Sequence, residues 1–170
     1  IMHLEFTVRG SNYFTNNRGS HTAIILRCDT DMLGTAIRGT GIVLGDVHLS
    51  YNGNPVYPST QVETWFDGLR PDSANVYPEQ SRANFLIPNT GNIVLSDDVD
   101  YQFVLDSTID ANKNSTVSYS ISQNNKMVYY LPPIYDNNIW YDWTKQGLCF
   151  GHVFDDKNTK WTLRISDIKV

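Results

Sequence analysis

Charge is scarce in this chain: 13 Lys and Arg and 18 Asp and Glu make up 18% of 170 residues, with a formal net charge of −5. The basic residues stand singly. A surface for nucleic acid or an anionic membrane needs them clustered to displace counterions, so neither partner is expected. Long apolar runs are also missing. None approaches the ~18 residues that a membrane-spanning helix requires, which argues against membrane insertion. Cysteine is limited to Cys28 and Cys149, too few for a disulfide framework and without metal-ligand spacing. Each sits in an apolar run, which favours buried thiols and leaves open a single bridge between neighbouring strands. Helical periodicity is nearly absent, because no window of 11 or more residues keeps apolar positions at three-and-four spacing.

What is present is alternation. Leu4, Phe6 and Val8 alternate with Glu5 and Thr7, and Thr22 to Cys28 is apolar enough for a strand buried on both faces. Further strands are expected at Gly39–Val47, Thr60–Phe66, Phe85–Ile87, Ile93–Leu95 and Val99–Leu105. Val117, Tyr119 and Ile121 alternate with serines and lead through Gln123-Asn124-Asn125 to Lys126–Tyr130 as a hairpin. Asn52-Gly53 is a second hairpin signal, since both residues tolerate positive φ. Residues 69–82, with two prolines, are expected to run over the surface. Gly147–Phe154 resumes as a strand. The last puts Trp161, Leu163 and Ile165 on one face, with Ile168 and Val170 one residue out of phase. A bulge near Ser166-Asp167 would absorb that slip. About ten short strands at this spacing predict an all-β domain over 1–170, a two-sheet antiparallel β-sandwich.

The most distinctive stretch is Tyr129 to Trp143, Tyr-Tyr-Leu-Pro-Pro-Ile-Tyr-Asp-Asn-Asn-Ile-Trp-Tyr-Asp-Trp. It holds six aromatic rings, two prolines and four short Asn or Asp side chains. Pro132 and Pro133 remove two backbone donors, which excludes an internal helix, disfavours a central strand and predicts a surface loop. Rings held on a surface beside amides and carboxylates suit sugars, whose C–H faces stack while their hydroxyls are hydrogen-bonded. Tyr135, Trp140, Tyr141 and Trp143 are the expected stacking surfaces, and Asp136, Asn137, Asn138 and Asp142 the expected hydroxyl anchors. Trp65, on an alternating strand, is a second platform. The alternative is that some of these rings fold back to plug one end of the core.

Three segments carry a family resemblance: Gln61-Val62-Glu63-Thr64-Trp65-Phe66-Asp67, Gly147-Leu148-Cys149-Phe150-Gly151-His152, and the closing Trp161-Thr162-Leu163-Arg164-Ile165-Ser166-Asp167-Ile168-Lys169-Val170. The last has the aromatic and Ile-x-Asp-Ile ending common in such terminal strands. Together they resemble the concanavalin A-like lectin and glucanase jelly roll, shared by legume lectins, laminin-G-like modules and many carbohydrate-binding modules. The wealth of Asn, Ser and Thr without a signal peptide also resembles the terminal domains of bacteriophage tail fibres and tailspikes. The resemblance implies a polysaccharide or cell-surface glycan as partner, on a sheet face or in rim loops. It also implies an extracellular or virion-surface setting, within a larger multidomain or oligomeric protein. Ile1-Met2-His3 fits the edge of an excised domain. No cofactor is implied. Asp29 with Asp31, Asp97 with Asp98 and Asp100, or Asp155 with Asp156 could contribute to a structural calcium site or simply shape turns.

Catalysis is the weaker expectation. Only Glu5, Glu63 and Glu79 are glutamates, and the glucanase signature Glu-x-Asp-x-x-Glu is absent. Glu63 and Asp67 share a strand face but stand roughly 13 Å apart, beyond the ~5 to 9.5 Å that glycoside hydrolysis needs between carboxyls. A polysaccharide lyase would need a Tyr or His base with Arg, Gln or Asn. Tyr141, Lys145, Gln61, Arg27 and His152 supply the residue types without the lyase motifs, and His152 in its apolar strand fits a core histidine better than a base. The third alternative is a structural module whose aromatic stretch packs on another subunit.

Overall fold

The computed structural model describes residues 1–15, 21–28, 39–47, 50–51, 54–55, 60–67, 93–112, 115–136, 147–153 and 160–170. For residues 21, 43, 46–47, 50–51, 54–55, 60–61, 63–67, 134–136 and 152–153 it describes the backbone alone. Among the described residues every regular element is a strand. They are β1 (Met2–Ser11), β2 (His21–Cys28), β3 (Gly39–Val47), β4 (Ser50–Tyr51), β5 (Asn54–Pro55), β6 (Thr60–Asp67), β7 (Asp100–Ile109), β8 (Ser115–Gln123), β9 (Lys126–Asp136), β10 (Gly147–Val153) and β11 (Thr162–Lys169). A five-stranded sheet has the order β11-β1-β7-β8-β9, and a four-stranded sheet the order β10-β2-β3-β6. All pairings are antiparallel. The short β4-β5 pair flanks positions 52 and 53, where the sequence predicts a tight turn.

The alternating residues explain the layering. Leu4, Phe6 and Val8 of β1, Tyr101, Phe103 and Leu105 of β7, and Val117, Tyr119 and Ile121 of β8 form one inward row set. They share a single core with Ile24, Leu26, Ile42, Leu44 and Val62 of the four-stranded sheet. Phe6 and Phe103 are directly opposite in the β1-β7 ladder and stack with ring centroids 5.1 Å apart. Burial of a Phe or Leu side chain in such a core contributes ~1.5–3 kcal/mol relative to exposure. β2 is buried along Thr22–Cys28, as its apolar run predicts. Cys28 and Cys149 lie on the adjacent strands β2 and β10 but opposite Gly147 and Ile25 respectively, and they form no disulfide.

Irregularities fall where the chemistry permits them. Asn124 and Asn125 join β8 to β9 with φ of 51° and 61°, the two successive positive angles of a type I′ turn, which Asn tolerates. Asp167, at φ 54°, lies where three steps of β11 match two of β1, the bulge that the phase slip at Ile168 predicts. Another bulge was not legible. Arg27, at φ 56°, is the extra residue between the Leu26–Leu148 and Cys28–Gly147 pairs. In a regular strand it would point opposite to Leu26. Instead it reaches across the core, where its Nε donates to Ser107 Oγ at 2.7 Å and its Nη2 to the Ser107 carbonyl at 3.0 Å. Arg27 is 4% exposed, so this guanidinium ties one sheet to the other from inside, and burial pulls its pKa down.

Two expectations need correction. Residues 129–136 are not a loop: β9 runs through Pro132 and Pro133 to Asp136. Among the described strands it is the edge of its sheet, and the register slips so that Leu131 and Ile134 match Tyr119 and Val117. The two prolines occupy that slip, where missing N–H groups cost no ladder bond. Ile93–Leu95 is not a strand either. Ile93 and Leu95 are buried and Val94 is 72% exposed, so the alternation is real, yet these residues pair with no described strand.

Phe103→Ala should cost ~3–5 kcal/mol of stability in urea denaturation, since it leaves a cavity against Phe6. Asn125→Val should cost about 1–2 kcal/mol through its positive φ, whereas Asn125→Gly should fold without loss.

Candidate functional site

The outward face of the five-stranded sheet divides into two chemically different halves. Over β11, β1 and β7 it is charged and internally paired. Arg9 Nη1 and Arg164 Nη2 each lie 3.4 Å from Asp100 Oδ1, Lys169 Nζ lies 2.9 Å from Glu5 Oε2, and His3 contacts Asp106 at 2.6 Å and Glu5 at 3.3 Å. The hydrogen bond to Asp106, then that to Glu5, raises the His3 pKa above its ordinary value.

Over β8 and β9 the same face has no charge among its described outward pairs. Ser120 stands opposite Tyr130 and Ser122 opposite Met127; Ser118, Ser120 and Ser122 are half-buried, and Thr108 and Thr116 share a hydrogen bond across β7 and β8. Tyr130 is 54% exposed. Its neighbours along the strand differ: Leu131 is sealed in the core, and Tyr129 is half-buried with its ring 5.8 Å from that of Tyr119. Met127 and Val128 are also exposed, Val128 being the extra residue between the Ile121–Tyr129 and Ser122–Met127 pairs. Edge position, a bulge and alternation therefore leave one tyrosine ring in water beside a file of hydroxyls.

The expected site residues are only partly reached. The backbones of Tyr135 and Asp136 continue β9 opposite Thr116 and Ser115. Trp65 is paired with Gly41 in the β3-β6 ladder. The side chains of these three, and all of Asn137, Asn138, Trp140, Tyr141, Asp142 and Trp143, lie outside the described residues. Trp161 is the one tryptophan whose side chain is described. It is half-buried and packs edge-on against Tyr13 at 5.1 Å, outside the β8-β9 surface. Tyr130, Met127 and Val128 were not among the expected site residues. The signal for Tyr130 was the serine alternation of β8 carried across the Asn-Asn turn.

The lyase-type residues are not drawn together. Gln61 and His152 lie on β6 and β10, opposite edges of the four-stranded sheet. His152, Thr22, Leu44 and Val62 fall in one row, which separates the edges by roughly 14 Å at the usual strand spacing. Arg27 belongs to the core. Of the acidic runs, only 97–100 is described, and its carboxylates already face donors. Asp97 accepts from the backbone N–H of Tyr13 and Phe14 at 2.9 Å, from that of Thr15 at 3.1 Å, and from the Thr15 hydroxyl at 2.5 Å. Asp100 faces Arg9 and Arg164. Among the described residues no group of three His, Cys, Asp or Glu is placed to hold a metal ion, and no helix is long and apolar enough to cross a membrane.

The Asp97 contacts build the end of the sandwich. They pin the turn after β1, which sets Tyr13 into the core, where its hydroxyl donates toward Thr22 Oγ1 and the Leu44 carbonyl at 3.0 Å. Burial pushes the Tyr13 pKa up to about 12. Burial also pushes the Asp97 carboxyl upward, but the hydrogen bonds from Thr15, Phe14 and Tyr13 outweigh it and hold Asp97 below its ordinary 3.8.

No protein-family model matches this chain, and no curated protein or solved structure matches it either.

Because the folded pKa of Asp97 is depressed, its contribution to stability is present above pH 3.8 and is lost as pH falls through the folded value. Asp97→Asn should lower stability at neutral pH by ~1–3 kcal/mol and flatten the acid limb of a stability–pH curve. His3 runs the other way. Its raised pKa gives a contribution complete below pH 6.5 and lost as pH rises through the folded value, so His3→Gln should flatten the neutral-to-alkaline limb in the same denaturation series.

Proposed function

We propose that this domain is a non-catalytic glycan-binding module of the jelly-roll, lectin-like type. In this reading a polysaccharide lies against Tyr130 and the aromatic run that follows it. The observation that carries the proposal is Tyr130, held in water at 54% exposure on the edge strand, directly opposite Ser120. A phenol ring offers an apolar face and a hydroxyl on a stiff, two-torsion side chain, which suits a pyranose that must be stacked and hydrogen-bonded together. Tyr135, Trp140, Tyr141, Trp143 and the anchors Asp136, Asn137, Asn138 and Asp142 would extend that surface along the chain. Trp65 would serve as a separate platform.

The jelly-roll assignment draws support from the strand order. The first and last strands pair side by side, and the chain changes sheets between β1 and β2, β6 and β7, β9 and β10, and β10 and β11. Single-site affinity in a shallow stacking surface is weak, and several copies on a virion or an extracellular assembly would raise it by avidity. Met127 and Val128, exposed beside Tyr130, favour a second reading in which the same edge packs on another subunit of that assembly. Light scattering separates the two, because an interface of that kind forces oligomers and a sugar surface does not.

On a glycan array, Tyr130→Ala should weaken binding about fivefold, a loss of ~1 kcal/mol of stacking, with the fold intact because the ring is exposed. Trp140→Ala and Trp143→Ala should weaken it further. Unchanged array profiles in all three variants would remove the proposal.

A further inference from the structure

We infer that the preferred guest of the β8-β9 face is an uncharged polysaccharide rather than a uronate-bearing or sulfated one. This rests on the glycan-binding reading and concerns the charge of the sugar. Recognition of an acidic sugar requires a cation that gains more from the sugar than from its present partner. On this sheet face the described guanidinium groups are already committed. Arg9 and Arg164 converge on Asp100 at 3.4 Å, Arg9 lies a further 4.0 Å from Asp98, and Lys169 is 2.9 Å from Glu5. They also sit on the wrong half. Between β1 and Tyr130 lie two whole strands, β7 and β8, so Arg9 and Tyr130 stand roughly 14 Å apart in the hydrogen-bonding direction at ordinary strand spacing.

The half that carries the exposed ring has the opposite character. Its outward positions include Ser118, Ser120, Ser122 and Tyr130 beside the apolar Met127, and the hydroxyls among them donate and accept without charge. Among the described residues of β9 the one cation is Lys126, opposite Gln123 at the turn and one residue out of phase with the outward Ser122–Met127 pair. A carboxylated polymer laid along it gains no described cation from this face and meets the repulsion of a chain already at −5. A neutral polymer meets none, and its hydroxyls match the serine file.

The test uses matched polymers differing in charge: polygalacturonate against its methyl ester, and carboxymethyl cellulose against hydroxyethyl cellulose, with dextran and mannan as further neutral probes. Affinity electrophoresis or calorimetry of the whole domain would be run at 50 and 500 mM salt. The expected result is binding to a neutral member with less than about a twofold change across that range, and at least about tenfold weaker binding to its charged counterpart. Tyr130→Ala should reduce the neutral binding, while Arg164→Gln should leave it unchanged. Preference for a charged polymer, with affinity falling steeply in salt, would overturn the inference while leaving glycan binding standing. Binding to none of the six polymers at either salt would count against glycan binding itself, and the inference would fall with it.

Discussion

Two sets of inward side chains, one on each sheet, have to leave water together, and that requirement organises the molecule. A single sheet with Leu4, Phe6, Phe103, Leu105, Val117 and Ile121 on one face would expose an apolar slab. The four-stranded sheet covers it with Ile24, Leu26, Ile42 and Leu44, and the same alternation sends serines, threonines and charges outward. Two polar groups in the interior are satisfied across the layers. Arg27 reaches Ser107 from one sheet to the other, and Tyr13 spans to Thr22 and Leu44. These are the points at which the two layers are held in one relative position rather than merely in contact.

Much of this arrangement was legible in the residues. Period-two alternation marked β1, β7 and β8, the mostly apolar run marked β2, the Asn pair marked the β8-β9 turn, and the phase slip after Ile165 marked the bulge at Asp167. What escaped has physical reasons. Pro132 and Pro133 break central strands, but the same missing N–H is tolerated at edges and bulges, and β9 offers both. No local pattern announces the positive φ at Arg27 or the reach of its side chain to Ser107. The role of Asp97 depends on N–H groups more than 80 residues earlier in the chain. Ile93 and Leu95 have the burial of a strand but pair with no described strand.

The candidate site shows the same division. Its aromatic richness was evident from composition, while the ring that the structure places in water, Tyr130, depends on tertiary facts: which strand is the edge, which face is dry and where the register slips. Those facts also separate it from Tyr129, its immediate neighbour, whose ring turns toward Tyr119. A sheet face half of paired charges and half of hydroxyls follows from cross-strand pairing, which places acids opposite bases on β1, β7 and β11 and serines opposite Tyr130 and Met127 on β9.

The proposed contact is spatially specific: a sugar chain would meet the β8-β9 half of the outer sheet face. Amide chemical-shift mapping during titration with a bound oligosaccharide measures this most directly. The largest shifts should cluster at Ser118, Ser120, Ser122 and Tyr130 and continue into the residues after Asp136, with β1 and β11 silent. Shifts confined to the charged half around Arg9, Asp100 and Arg164, or to the four-stranded sheet, would contradict it.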